Sequence, residues 1–150
     1  MKIPVVLVDD NEVDRYVVRR VLSKFDEFDE LKESKSGVEF LKEFFNGDEG
    51  AHLEDQPLCI LMDINMPGLS GFETIAQMEK LAEKGHGPGG IVVMMITSSA
   101  NPSDRTQAEA LDSVLGYSTK PLDKEGAKKI ITIYNDFLQD AGHKPKSWPG

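Results

Sequence analysis

Four apolar runs in this chain stop on polar residues, and that repetition limits the folds open to it. Pro4-Val5-Val6-Leu7-Val8 runs into Asp9-Asp10, and Leu58-Cys59-Ile60-Leu61-Met62 runs into Asp63. Ile91 to Ile96 ends on Thr97, and Val114 to Thr119 ends on Lys120-Pro121. Short runs rich in β-branched residues suit strands buried on both faces. Helical patterns lie between them. Glu12 to Phe25 sets Val13, Val17, Val21 and Phe25 four apart. Ser36 can cap a helix through Phe45, with Val38, Leu41 and Phe45 inward and Glu39 completing a capping box. Ser70 to Glu83 would bury Phe72, Ile75, Ala76 and Ala82. A shorter helix, Ser103 to Leu111, follows Pro102. The last helix, Asp123 to Ala141, lines up Ala127, Ile130, Ile131, Tyr134, Phe137, Leu138 and Ala141. Leu31 to Ser34 is a polar strand suited to a sheet edge.

Five strand–helix units predict an α/β fold, a doubly wound five-stranded parallel sheet covered on both faces. Right-handed crossovers leave few topologies. Such open sheets bind ligands beyond the carboxyl ends of their strands. Asp9, Asp10, Asp63, Thr97 and Lys120 all fall at predicted carboxyl ends, so three carboxylates, a hydroxyl and an amine can converge there.

That convergence has a chemical consequence. Two carboxylates about 4 Å apart repel by roughly 4 kcal/mol at an effective dielectric of 20. Three such pairs cost on the order of 10 kcal/mol, comparable to the stability of a domain. Either one acid is protonated or a divalent cation sits among them, with Lys120 offsetting part of the rest. An all-oxygen site of few protein ligands suits Mg²⁺. A cation beside a free carboxylate, with a hydroxyl and an ammonium opposite, suits phosphoryl transfer to that carboxylate.

Other features exclude classes. At 150 residues the chain predicts one domain. A net charge of −9 argues against a nucleic-acid surface. The single cysteine, Cys59, precludes an internal disulfide and fits a reducing compartment. No run reaches the roughly 20 apolar residues of a membrane span, and no leader pattern precedes Asp9; a cytoplasmic location is expected. Gly85-His86-Gly87-Pro88-Gly89-Gly90 spells G-x-G-x-x-G, but it follows a helix and precedes a strand, the reverse of a dinucleotide fingerprint. His52, His86 and His143 lack metal-ligand spacing. Asn46 to Gln56 reads as an acidic surface loop, and residues 142–150, with Trp148, as a tail.

The set Val6-Leu7-Val8-Asp9-Asp10-Asn11, Leu61-Met62-Asp63-Ile64-Asn65-Met66-Pro67-Gly68 with Gly71, Ile96-Thr97-Ser98 and Gly116-Tyr117-Ser118-Thr119-Lys120-Pro121 resembles the receiver domain of two-component response regulators, of the single-domain chemotaxis type. The resemblance spans about residues 3 to 141. It implies a flavodoxin-like fold of strand order 2-1-3-4-5. It implies that Asp63 accepts a phosphoryl group from a histidine of a sensor kinase or phosphotransfer protein. Asp9, Asp10, Asp63 and the Asn65 carbonyl would hold Mg²⁺, Thr97 and Lys120 would bind the aspartyl phosphate, and the Lys120–Pro121 bond would be cis. Tyr117 takes the place of a switch aromatic that turns inward when Thr97 shifts. The fourth helix, fifth strand and fifth helix would then present a surface to a downstream protein; direct DNA binding is not expected, given the acidic net charge. Asn65 and Ser99 occupy positions that tune phosphoryl hydrolysis in the family. The chain departs from the family in having Asp112-Ser113-Val114-Leu115 where a small Gly-Ala pair is common. A metal-dependent phosphatase with an aspartyl intermediate is the alternative, but such enzymes carry Asp-x-Asp, and residue 65 here is Asn.

Overall fold

The computed structural model describes residues 2–45, 56–87, 90–98 and 101–140. Five strands, β1 (Val5–Val8), β2 (Lys32–Ser34), β3 (Leu58–Asp63), β4 (Ile91–Thr97) and β5 (Val114–Thr119), form one sheet in the order β2-β1-β3-β4-β5. All four pairings are parallel. Five helices, α1 (Glu12–Leu22), α2 (Gly37–Phe44), α3 (Gly71–Glu83), α4 (Pro102–Glu109) and α5 (Lys124–Asp140), alternate with the strands. The fold is the flavodoxin-like α/β architecture, and the polar β2 lies at the sheet edge.

The sheet separates two apolar layers. Phe40 and Phe44 from α2 and Phe45 just past its end, Ile75 and Met78 from α3 and Ala108 from α4 pack on one face with Val6, Ile60 and Met95. On the other, Val18 and Leu22 of α1 and Ala127, Ile130, Ile133 and Tyr134 of α5 pack against Leu7, Leu61 and Met94. Adjacent residues of β1, β3 and β4 alternate between layers, as the period-two geometry requires. Both faces are covered, which explains why β1 and residues 58–62 of β3 are apolar throughout.

Several helices are rotated from their predicted faces. In α1 the buried residues are Arg15, Val18 and Leu22, and Val13 is 68% exposed. A strict four-residue spacing advances about 40° per step, so the Val13–Val17–Val21 stripe drifts around the cylinder. In α2, Leu41 and Phe45 are buried as predicted, but Val38 is exposed and Phe40 and Phe44 point inward. In α3, Ile75 is buried while Ala76 is exposed, and Thr74 and Met78 fill the interface. In α5, Leu138 is 47% exposed and Ile133 takes a buried place. Alanine and a terminal leucine carry little directional information; what faces inward depends on where each helix crosses the sheet.

The caps also differ. Ser36 Oγ accepts from the Glu39 amide, one half of the predicted box. The complete reciprocal box forms at α3, where Ser70 Oγ accepts from the Glu73 amide and the Glu73 carboxylate accepts from the Ser70 amide. The glycine-rich letters after α3 serve as a terminator: Gly85 has φ +83° just past the C-cap Lys84. His52, His143, Ser99, Ala141, Trp148 and most of the Asn46 to Gln56 loop lie outside the described residues.

Candidate functional site

Strand register brings the polar ends together. Val8 pairs with Met62, so Asp9 stands opposite Asp63. Asp63 pairs with Ile96, one residue before Thr97, and Thr97 pairs with Thr119, one residue before Lys120. Asp9, Asp63 and Thr97 are buried at this edge and Asp10 is exposed. Among the described residues, Asp9, Asp10 and Asp63 each offer a carboxylate oxygen, all within 4.8 Å of one another.

Lys120 sits in the midst of this charge. Its Nζ lies 2.8 Å from Asp9 Oδ2, 2.8 Å from Asp14 Oδ2 and 3.3 Å from Asp63 Oδ1. Burial works against the ammonium, but hydrogen bonds to Asp14 and Asp9 and the Asp63 charge prevail, holding its pKa above the ordinary lysine value. The Lys120 amide donates to the Thr97 carbonyl at 2.7 Å, and the Lys120–Pro121 peptide is cis. Asp63 is only 5% exposed. Burial, then the Asp9 charge, push its carboxyl up to about 6 against the opposing pull of Lys120. The molecule thus has a third answer to its acid crowding, besides protonation or a cation: an ammonium inserted between the acids.

Two contributors had no place in the motif-based prediction. Arg15 is buried and donates from Nη1 to the Asp9 carbonyl at 2.9 Å, while its Nε lies 3.3 Å from Glu33 of β2. Asp14, one residue earlier, reaches Lys120 from the first turn of α1. No sequence signal set either apart, because α1 also carries the charged Glu12, Arg19 and Arg20. Asn11 caps that helix, its side chain accepting from the Asp14 amide while its own amide donates to Asp9 Oδ1.

The remaining predicted residues lie close by. Asn65 is exposed on the loop beyond β3. That loop turns back so tightly that the Gly71 amide donates to the Ile64 carbonyl at 2.8 Å. A Cβ at Gly71 would collide with the Asp63 carbonyl oxygen, so only glycine lets α3 start here. Tyr117 is packed inward with Met95 and Ala108, and burial, then the Asp104 charge, raise its phenol. The Lys129 ammonium donates to the Tyr117 carbonyl at 3.1 Å.

The donor set fits a hard divalent cation: three carboxylates, no sulfur or imidazole, and an exposed side at Asp10. No helix among the described residues is long and apolar enough to cross a membrane.

The model of the response regulator receiver domain matches residues 5–132. The chain is similar to protein PilH of Pseudomonas aeruginosa, 31% identical over 129 residues, 85% of this chain and 93% of that protein. It is 30% identical to a protein-glutamate methylesterase/protein-glutamine glutaminase of Carboxydothermus hydrogenoformans, covering 97% of this chain but 37% of that longer protein. Among solved structures, a two-component response regulator from Legionella pneumophila superposes with a TM-score of 0.71 at 27% identity, covering 90% of this chain and 99% of the other.

Proposed function

The chain belongs to the response regulator receiver domain family, and from that premise we propose that it is a phosphorylation-dependent signalling switch whose phosphoacceptor is Asp63. The supporting observation is a buried carboxylate of raised pKa with Lys120 Nζ 3.3 Å away and two further acids beside it. The donor is a phosphohistidine of a sensor kinase or histidine phosphotransfer protein. An Asp63 oxygen attacks phosphorus, the P–N bond breaks, and the imidazole nitrogen leaves with the electron pair. Asp9, Asp10, Asp63 and the Asn65 carbonyl are the proposed ligands of Mg²⁺, which when bound neutralises charge on the phosphoryl oxygens. Lys120 pairs with the phosphoryl group from the other side, and the Thr97 hydroxyl donates to it.

The readout is a shift between two packings of Thr97 and Tyr117 that alters the α4–β5–α5 surface offered to a downstream protein. Tyr117 is inward here, so the inward packing is accessible to the ring. The receiver unit is assigned to residues 1–141, with 142–150 as a tail. The chain modifies only itself, acts in the cytoplasm and reaches its output through protein contact rather than DNA.

Incubation with Mg²⁺ and acetyl phosphate should add one acid-stable, base-labile phosphoryl group by mass spectrometry. Asp63→Asn should abolish the uptake. Uptake that persists in that variant would remove the assignment.

A further inference from the structure

Asp14 belongs to no part of the acid cluster, yet it holds the lysine that the cluster shares. Three carboxylates face the three hydrogens of the Lys120 ammonium. Those of Asp9 and Asp14 are at 2.8 Å, and that of Asp63, the proposed phosphoacceptor, is the most distant at 3.3 Å. A phosphoryl group on Asp63 brings a stronger, more highly charged acceptor on the side where the contact is now longest, and it draws the ammonium away from one of its two closer partners.

The three are not equally replaceable. Asp9 is 1% exposed, and its release would strand a buried charge. Asp63 is itself the modified residue. The Asp14 side chain is 36% exposed and can take up water in place of the ammonium. Its backbone amide is tied independently, to Asn11 Oδ1 at 3.0 Å, so the start of α1 stays capped whether or not the ion pair holds.

The geometry points to Asp14 as a positioning residue, a latch that holds Lys120 toward α1 in the unmodified protein and releases it when Asp63 carries a phosphoryl group. The inference rests on the reading of Asp63 as phosphoacceptor. The latch stabilises the unmodified state alone, so its loss favours the modified one. Asp14→Asn should therefore bind a phosphoryl mimic more tightly, by about fivefold, the scale of a partly exposed ion pair.

The experiment titrates beryllofluoride with Mg²⁺ into the full chain, wild type against Asp14→Asn, with Asp14→Ser as a second variant. The Lys120 side-chain methylene resonance is followed by NMR, assigned through Lys120→Arg. Tighter binding, with a Lys120 resonance that differs between wild type and variant when free and coincides when bound, supports the latch. Equal or weaker binding, or a resonance that is unmoved or displaced equally in both states, overturns it. If wild-type protein takes up no beryllofluoride, the phosphoacceptor reading fails and the latch fails with it. If wild type binds and neither Asp14 variant gains, only the latch is refuted.

Discussion

Asp63 is ionised at a cost that its neighbours only partly offset. Burial and the Asp9 charge raise its carboxyl from 3.8 to about 6. The native state therefore holds that proton more tightly than the unfolded chain does. The associated stability is present in full below about pH 4 and is lost as pH rises through about 6. The difference corresponds to about 3 kcal/mol. In the presence of a chelator, Asp63→Asn should raise stability at pH 7 by up to about 3 kcal/mol and by far less at pH 4. Urea denaturation at the two pH values measures this, and an equal effect at both would show that the penalty is not ionisation. Asp63, Thr97 and Lys120 were legible in the sequence because each closes an apolar run. Asp14 and Arg15 were not: Asp14 and Lys120 are 106 positions apart, and Arg15 links the Asp9 carbonyl to Glu33 on a different element, which no local pattern announces.

At the level of elements, the register between β4 and β5 sets where the amine arrives. Val93 pairs with Val114, but Met94 pairs with Gly116, leaving Leu115 as an extra residue. Leu115 packs in the α1/α5 layer, and a Cβ on Gly116 would meet Met94 and Ile133 of the same layer. Two successive residues thus point to one side, as in a β-bulge. Without that extra residue the pairing would place Ser118 opposite Thr97 and turn Tyr117 to the α5 face. Alternation alone could not reveal this. Two glycines gauge how tightly the elements meet. An added Cβ at Gly71 would strike the Asp63 backbone carbonyl, whereas at Gly116 it would meet the flexible ends of Met94 and Ile133. Gly71→Ala should destabilise by about 1–3 kcal/mol, and Gly116→Ala by less. Thermal melts of both variants check the order.

For the whole molecule, the sheet edge couples folding to cation binding. The three acids lie within 4.8 Å only because two neighbouring strands, β1 and β3, and their register put them there. An ion that needs this geometry binds the native state and not the unfolded chain. Mg²⁺ at ten times its dissociation constant should stabilise the protein by about 1.4 kcal/mol, with a melting temperature that climbs with concentration. Asp10→Asn should blunt that climb, while a climb of equal size in the variant would remove Asp10 from the ligand set. Calorimetry across a magnesium series decides between them. The chain's order of apolar runs and their polar stops determined the fold class and the chemistry collected at one edge, because buried strands and right-handed crossovers leave little freedom, while the strand order came from the resemblance to receiver domains. Tertiary structure alone decided which helix faces are buried, where the bulge falls and that Asp14 meets Lys120. Those features depend on crossing angles, register and charge placement between segments distant along the chain, which no local pattern encodes.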